Sequence, residues 1–394
     1  MCHVVDVKAA YLQGNAIERE VFLKPPPEYD EGMIWKLKKT VYGLCDAARA
    51  WYLRVKEKLE NLRVKKCSLD NSLFMWYHNG VLEGLICIYV DDFLWVGSEA
   101  FENNIIEGLK KKFLIGSSGS AAFKYIGLNI DSREACIYVD QGQYINSLEP
   151  IKINRGRSRQ RDTLLLEKEK TAFRALVGQL NWITTNTRPD IAYEVCDLSA
   201  SCKTGTVGDM LRINKVVKLI QGDVLMLRFP RIANLEECTI EVFSDASFGN
   251  LQGDGSQGAI IAFLKDERGE RCPLYWHTRK LRRVVKSTLA AETMALLDGA
   301  ETGFYLRKVL EEVLGLKKIT VSCITDNKSL VESLHSTKRV EDKRLRIDMV
   351  VLMEMLERKE IDHVKWVDTK SQLADCMTKR GVSAEKLRAV LAKD

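Results

Sequence analysis

The tetrapeptide Tyr89-Val90-Asp91-Asp92 places two adjacent carboxylates between two apolar runs, Leu85–Tyr89 and Phe93–Val96. Both runs have the composition of β-strands, so the pattern predicts that the acidic pair lies at a tight turn between two paired strands. Neighbouring carboxylates at a hairpin tip repel each other, and a divalent cation such as Mg²⁺, which prefers carboxylate and phosphate oxygens, would relieve that repulsion. Asp is also common in turns, so the tetrapeptide alone supports a metal site and an ordinary turn about equally.

A third acid, Asp6, interrupts the short apolar strand predicted for His3–Val7. Taken alone, Asp6 is best interpreted as a helix cap for Lys8–Leu12. Together with Asp91 and Asp92 it becomes a candidate metal ligand, because two-metal phosphoryl transfer uses carboxylates from separate strands to hold two cations roughly 4 Å apart. One cation activates an attacking 3′-hydroxyl and the other stabilises a leaving pyrophosphate, so the three acids predict two Mg²⁺ or Mn²⁺ ions.

Four further acids lie in the C-terminal part of the chain, each beside a predicted strand or helix. Asp245 ends the strand Thr239–Asp245, Glu292 lies on the helix Ser287–Ala300, Asp326 lies near the end of the strand Ile319–Asn327, and Asp375 lies near a late helix. Taken singly, Glu292 is typical of a solvated helix residue, and Asp326 or Asp375 of a helix cap. The residues alone favour these structural interpretations over a shared site.

The elements that must position these acids follow from breaks in the pattern. Residues 1 to about 150 alternate strands with amphipathic helices, of which Arg49–Leu62 is the clearest. A polar break over Asn154–Asp162 carries alternate arginines, which could follow a nucleic-acid backbone but are more typical of a solvated loop. Residues 165 to about 235 are predicted to be mostly helical, and Glu237 begins a strand-rich part. The predicted domains are therefore 1–150, 151–236 and 237–394.

Composition narrows the class of protein without deciding it. With 394 residues, 29% of them charged, the chain has the size and polarity of a soluble protein of two or three domains. The net charge of +6 suits a partner with a phosphate backbone but is too small to establish one. The 11 scattered cysteines include no Cys-x-x-Cys pair, so they predict reduced thiols in an intracellular protein. Neither a signal peptide nor a membrane-spanning run is expected, which argues against a membrane partner.

The segment Asp6–Gly14 resembles the first catalytic motif of copia-type retrotransposon reverse transcriptases. Further segments match that family in its order: Trp35–Lys39, Val41–Leu44, Arg49–Tyr52, Tyr89–Asp92, Phe123–Leu128, Leu176–Trp182 and Thr187–Ala192. The resemblance implies a polymerase palm followed by a helical thumb or connection region, and it covers nearly the whole chain. Its implied partners are an RNA template, a DNA primer and deoxynucleoside triphosphates, with other polyprotein segments as further candidates.

Carried over residue by residue, the resemblance assigns Asp6, Asp91 and Asp92 to the two polymerase metals. It places Tyr11 against the sugar of the incoming nucleotide, where a ring would clash with a 2′-hydroxyl. Without the resemblance, Tyr11 is better interpreted as a core aromatic on an amphipathic helix. The implied location is the cytoplasm, with virus-like particles as one setting.

The C-terminal acids resemble, in order, the active site of the ribonuclease H found at the end of copia-type polyproteins. The flanking segments Ser244–Ser247, Thr288–Glu292 and Thr325–Ser329 are also close to that pattern. The resemblance therefore implies an α+β or α/β multidomain protein that ends in a ribonuclease H-like mixed sheet. Asp245, Glu292, Asp326 and Asp375 would be its catalytic metal ligands, holding two Mg²⁺ or Mn²⁺ ions while water attacks the RNA strand of an RNA–DNA hybrid.

Three departures from the family pattern bear on activity. Only five residues precede Asp6, where the family has its fingers subdomain. Asp46 replaces a glutamine near the incoming triphosphate, which adds like-charge repulsion and removes an amide donor. Arg346 stands where the family usually has histidine, so product release through a histidine is in doubt. We therefore expect an impaired polymerase half and a better preserved nuclease half, with a non-catalytic remnant that at most binds nucleic acid as the alternative.

Overall fold

The computed structural model describes residues 1–29, 32–133, 135–251, 254–336 and 341–392. The chain forms two compact units. The first consists of Met1–Ile126, Ile130–Glu134 and Glu312–Gly315, and the second of Gly127–Asn129, Ala135–Glu311 and Leu316–Asp394. The division near residue 130 precedes the boundary predicted at residue 150, and the helical region falls within the second unit. The three-part division of the sequence analysis remains a prediction.

The first unit is built around an antiparallel sheet with the strand order β4-β5-β6-β7-β1-β8. Its strands are β1 (His3–Val7), β2 (Phe22–Leu23), β3 (Trp35–Lys36), β4 (Lys65–Lys66), β5 (Leu73–His78), β6 (Val81–Tyr89), β7 (Asp92–Gly97), β8 (Ile115–Ser120) and β9 (Ala122–Tyr125). Its helices are α1 (Ala47–Asn61), α2 (Glu99–Phe101), a π-helical turn (Glu102–Ile106) and α3 (Glu107–Lys110), with 3₁₀ turns at Ala10–Gln13 and Pro27–Tyr29.

Helix α1 covers one face of this sheet. Its residues Trp51, Val55 and Leu59 recur at intervals of four, lie on one side of the helix and are buried. They belong to the same apolar core as the strand residues Phe74 and Phe93. The helix thus presses Trp51 against the hairpin formed by β6 and β7. The prediction of a helix over Arg49–Leu62 is confirmed, with a start two residues earlier.

The strand β10 (Leu128–Ser132) contributes its first two residues to the second unit, which also holds β11 (Cys136–Asp140). Strand β11 pairs antiparallel with the later strand β12 (Leu227–Pro230). Between them lie α4 (Gly142–Asn146), α5 (Arg155–Ser158), α6 (Glu167–Asn186), a 3₁₀ turn (Pro189–Ile191), α7 (Ala192–Ala200) and α8 (Val207–Gly222). This confirms the predicted helical region. The arginine run is not a purely solvated loop, however, because Arg157 donates to Glu169 at 3.0 and 2.8 Å and so fastens α5 to the start of α6.

A mixed sheet with the strand order β15-β14-β13-β16-β17 follows. Its elements are β13 (Thr239–Leu251), β14 (Gly255–Lys265), β15 (Arg271–Lys280), α9 (Thr288–Leu314), β16 (Thr320–Thr325), α10 (Lys328–Leu334), α11 (Lys343–Glu357), β17 (His363–Trp366), 3₁₀ turns at Thr369–Ser371 and Asp375–Met377, and α12 (Glu385–Leu391). Strands β13, β14 and β15 are antiparallel, whereas β16 and β17 run parallel to β13.

Both faces of this sheet are covered, so residues of β13 on both faces are buried, although its sequence alternates apolar and polar residues. Ile240 and Val242 face a core that contains Leu296 of α9 and Leu352 of α11. Phe243 faces a second core on the opposite side. Helix α9 continues well past the predicted end at Ala300, and its Gly303 permits close approach to the sheet, since a Cβ there would lie 2.8 Å from Val321.

Among the residues that the structure describes, no helix has both the length and the apolar character needed to cross a membrane.

Candidate active sites

The C-terminal acids meet because β13 and β16 are parallel neighbours. Phe243 pairs with Ile324 in the register, and each strand reaches an aspartate two residues later, so Asp245 and Asp326 come level. Glu292 approaches them from the first turns of α9. Each of the three offers a carboxylate oxygen within 4.8 Å of the others. The structure therefore brings together three of the four acids that the sequence assigned to this site.

The carboxylates of Asp245 and Glu292 are shielded from solvent. Asp245 is fully buried and Glu292 is 4% exposed. Within the described part of the chain, Asp245 Oδ1 and Glu292 Oε2 have no hydrogen-bond partner. Burial and then the negative charges of Asp245 and Asp326 raise the pKa of Glu292 to about 9. Burial also raises the pKa of Asp245 to about 6, against the opposing effect of Lys379.

Unpartnered carboxylate oxygens this close together are unfavourable unless protons or cations neutralise them. A divalent cation with a preference for oxygen ligands fits the site, because two of its buried carboxylate oxygens accept no hydrogen bond from the described residues. The surrounding contacts hold the acids in place for such a role. Thr369 Oγ1 donates to Asp326 Oδ2 at 2.7 Å, and Trp366 Nε1 donates to the Asp326 carbonyl at 3.0 Å.

Asp375, the fourth predicted acid, lies beside this group but outside the three that meet within 4.8 Å. Its carboxylate pairs with Lys379, whose Nζ is also 3.6 Å from Asp245 Oδ1. The hydroxyl of Thr378 donates to Asp245 Oδ2. Sequence reasoning missed both Thr378 and Lys379. The spacing of four residues between Asp375 and Lys379, which is common in ion pairs, was the available signal.

The N-terminal acids lie on three adjoining segments of the first sheet. Asp6 on β1 pairs directly with Asp92 on β7, and Tyr89 pairs with Asp92 across the hairpin, which leaves Val90 and Asp91 as its two-residue turn. The predicted hairpin is thus confirmed. Asp6 does not cap the helical turn that follows, because Ala9 occupies the cap position.

The backbone of this turn is held from two sides. Val90 has a φ of 54°, a left-handed conformation that is strained for a β-branched residue. Its carbonyl accepts a hydrogen bond of 2.5 Å from Trp51 Nε1, and the Asp91 carbonyl accepts one of 2.8 Å from the Val7 amide. These contacts fix the direction in which the acidic pair points.

The three N-terminal carboxylates interact electrostatically, but their oxygens do not all lie as close together as those of the C-terminal group. Burial and then the charges of Asp91 and Asp6 raise the pKa of Asp92. Among the described residues, the only three acids with ligand atoms within 4.8 Å of one another are those of the C-terminal site. Gly116 on β8 makes room for Asp6, since a Cβ there would lie 2.2 Å from Asp6 Oδ2. Sequence reasoning missed this glycine.

Tyr11 packs against the apolar core of the first unit, as the core interpretation expected, but it is not fully enclosed. It is partly exposed, its ring lies 4.5 Å from that of Tyr42, and its carbonyl accepts a hydrogen bond of 3.1 Å from Thr40 Oγ1. The substituted residue Asp46 is paired with Arg19 through two hydrogen bonds of 3.0 and 2.9 Å. A cation therefore already offsets the charge that was expected to repel a triphosphate, and it lowers the pKa of Asp46.

Comparisons with known proteins show what the chain as a whole resembles. Residues 1–154 match the family described as reverse transcriptase (RNA-dependent DNA polymerase). The chain is 24% identical over 398 residues to the retrovirus-related Pol polyprotein from transposon RE1 of Arabidopsis thaliana, covering 95% of this chain and 26% of that protein. It is 24% identical over 412 residues to the corresponding polyprotein from transposon TNT 1-94 of Nicotiana tabacum, covering 95% and 29%.

Among solved structures, the foamy viral protease-reverse transcriptase in complex with an RNA/DNA hybrid superposes with a TM-score of 0.55 at 11% identity, covering 93% of this chain and 44% of that one. This likeness confirms the predicted fold class. The chain spans about a quarter of the length of the curated relatives it matches. The chain is thus similar to retrotransposon Pol polyproteins over most of its length, with a match to the reverse transcriptase family over residues 1–154 and a fold like that of the foamy viral protease-reverse transcriptase.

Proposed function

We propose that this chain is the reverse transcriptase and ribonuclease H portion of a copia-type polyprotein, with two sites for phosphoryl transfer. The nuclease is the stronger of its two activities. The observation that carries this proposal is the meeting of Asp245, Glu292 and Asp326 within 4.8 Å, with two buried oxygens that accept no hydrogen bond from the described residues. The proposed substrate is the RNA strand of an RNA–DNA hybrid.

At the nuclease site, Asp245, Glu292 and Asp326 would hold two Mg²⁺ or Mn²⁺ ions, with Asp375 as a further ligand. When bound, the cations lower the pKa of the attacking water and stabilise the departing 3′-oxygen. Thr378 fixes the orientation of Asp245 through its hydrogen bond. Lys379 sets the charge balance of the site, because it pairs with Asp375 and lies near Asp245.

At the polymerase site, Asp6, Asp91 and Asp92 would hold the cations that serve an RNA template, a DNA primer and deoxynucleoside triphosphates. Tyr11 would contact the sugar of the incoming nucleotide, with Tyr42 supporting its ring. We propose a weak polymerase activity, because these acids are less closely gathered than those of the nuclease site. We also propose a cytoplasmic location and an organisation in three parts, namely residues 1–150, 151–236 and 237–394.

A gel assay on an end-labelled RNA–DNA hybrid tests the nuclease in the full chain with Mg²⁺. We expect cleavage of the RNA strand, and none by Glu292→Gln, which keeps the shape of the side chain but removes its charge. Primer extension on an RNA template tests the polymerase, and any product should disappear in Asp91→Asn. Absence of both activities, with no metal-dependent rise in melting temperature, would favour a non-catalytic protein that at most binds nucleic acid.

A further inference from the structure

A cleft along α8, in the second unit, is lined by cations and aliphatic side chains. We call it the α8 cleft. Its volume of about 500 Å³ lies within the range of roughly 300–1,000 Å³ that is typical of small-molecule sites. Pro150, Ile151, Ile153 and Leu211 supply the aliphatic part of the lining. Among the described residues that line the cleft, none is an acid.

The two walls of the α8 cleft are joined by hydrogen bonds. Asn214 on α8 accepts from the Ile151 amide and donates to the Ile151 carbonyl, each at 2.8 Å. Further along the cleft, the Gly208 amide donates to the Arg161 carbonyl at 2.8 Å. The loop that carries Ile151 and Arg161 is thus fastened to α8 at two points. The cleft is therefore formed by the fold itself, before any ligand arrives.

The five cations of the cleft differ in their partners. Arg212 is neutralised within the fold, because it forms ion pairs with the three acids Glu194, Asp197 and Asp209. The other four are exposed and, among the described residues, form no ion pair with an acid: Lys152, Arg161, Lys215 and Lys218. The cleft therefore carries a concentration of positive charge that the fold does not use.

We propose that the α8 cleft binds a nucleoside triphosphate, with the phosphates against the four unpaired cations and the base against the aliphatic wall. An anion in the cleft meets positive charge on both walls and no lining carboxylate to repel it. Inorganic phosphate would leave the aliphatic wall exposed to water, whereas a planar base would cover it. The proposal goes beyond the proposed function, because it adds a nucleotide site apart from the acids Asp6, Asp91 and Asp92.

Independence from metal follows from the same lining. Lysine binds phosphate as a point charge, so the four cations can hold the phosphates directly. With no carboxylate in the lining, a divalent cation is not needed to bridge protein and phosphate. Nucleotide binding at the α8 cleft should therefore persist in EDTA. Binding at the polymerase acids would instead depend on a cation between carboxylate and phosphate oxygens.

The test titrates the full chain in EDTA with dATP that carries a fluorophore on its sugar, and fluorescence anisotropy gives the affinity. Lys152→Gln with Lys218→Gln should weaken binding by about tenfold, roughly threefold for each exposed charge removed. The matched control is Lys168→Gln with Lys317→Gln, two exposed lysines that do not line the cleft. Both double variants should melt like the wild type, because all four side chains are exposed.

Competition experiments identify the class of ligand. Unlabelled ATP should displace the probe, inorganic triphosphate should do so more weakly, and adenosine should not. Equal competition by inorganic triphosphate would show that the aliphatic wall takes no part and would overturn the assignment to a nucleotide. Displacement by an RNA–DNA hybrid at lower concentrations than by ATP would assign the cleft to nucleic acid instead. Loss of binding in EDTA, or equal weakening in the two double variants, would also refute the proposal.

Discussion

Glu292 lies almost wholly inside the protein and shares that space with Asp245 and Asp326. Its pKa is raised from 4.5 to about 9, so in the absence of metal the folded state holds a proton that the unfolded state has lost. As pH rises above about 4.5, folding requires the uptake of this proton from an increasingly dilute pool, which lowers the free energy of unfolding. The contribution of Glu292 to metal-free stability should therefore fall as pH rises from about 5 towards 9, by at most about 1.4 kcal/mol per pH unit.

Glu292→Gln should flatten this dependence and raise the metal-free melting temperature at pH 8, because the amide is neutral in both states and need not take up a proton on folding. Urea unfolding in EDTA at pH 5, 7 and 9 provides the comparison. Mg²⁺ should stabilise the wild type more than the variant, since a ligand that binds only the folded state adds stability. Parallel pH profiles for the two proteins would contradict this account of the site.

Lys379 should have the opposite effect on the same site. It is the cation that pairs with Asp375 and lies 3.6 Å from Asp245. Lys379→Met leaves those carboxylates without their positive neighbour, so we expect a lower metal-free melting temperature and a larger stabilisation by Mg²⁺. The control Lys317→Met removes an exposed lysine remote from the acids and should change neither value. A variant that melts like the wild type in EDTA would show that Lys379 does not balance the acids.

At the scale of elements, strand register decides which acids meet. The alternation in Thr239–Asp245 and the acid after Ile319–Thr325 were enough to predict two strands that end in carboxylates. The parallel pairing of β13 and β16, which brings Asp245 level with Asp326, depends on contacts between residues about 80 positions apart. Periodicity along the chain carries no such information. The role of Gly116 was hidden for the same reason, since Asp6 lies on the neighbouring strand β1, about 110 positions earlier in the chain.

Gly116→Ala tests whether β8 must lack a side chain opposite Asp6. A Cβ at this position would lie 2.2 Å from Asp6 Oδ2, so the carboxylate must move. In a Glu292→Gln background, which weakens the nuclease site, we expect the remaining Mn²⁺ binding to fall as far as it does with Asp6→Asn. Electron paramagnetic resonance of free Mn²⁺ measures it.

The control for this substitution is Gly108→Ala on α3, where the added Cβ would meet only Leu62 at 3.4 Å. Unfolding in urea should show that both alanine variants are folded. Unchanged Mn²⁺ binding by Gly116→Ala would mean either that Asp6 tolerates the shift or that it is not a ligand.

At the scale of the whole molecule, the ribonuclease H-like sheet shares one of its cores with the helical region. Phe243, Ile261 and Phe263 of the sheet pack in the same core as Ala192 and the β12 residue Leu227. Polar contacts reinforce this packing: Trp276 Nε1 donates to the Thr184 carbonyl at 2.7 Å, and Arg388 pairs with the buried Asp190 at 2.8 Å. Composition suggested a boundary at residue 237, because a change from helices to strands is visible in sequence and a shared core is not.

The shared core leads to a prediction about fragments. The segment 237–394 retains all four acids that we propose for the nuclease site, and the sequence alone predicts a separate domain. Without the preceding helices, however, the sheet loses the apolar cover of Ala192 and Leu227, and Arg388 loses Asp190. Exposed apolar surface costs about 25 cal/mol per Å², so uncovering even 150 Å² removes roughly 4 kcal/mol, a large part of typical domain stability.

We therefore expect the segment 127–394 to melt well above the segment 237–394, by roughly 10 °C or more, and to remain soluble where the shorter one aggregates. Thermal melts with and without Mg²⁺ and the hybrid-cleavage assay should be run on both. Restoring residues 127–236 should recover stability without changing the metal-dependent shift, because none of the four acids lies in that region. Equal melting temperatures would mean that the helices add no stability to the sheet, and that the boundary near 237 is also the boundary of cooperative folding.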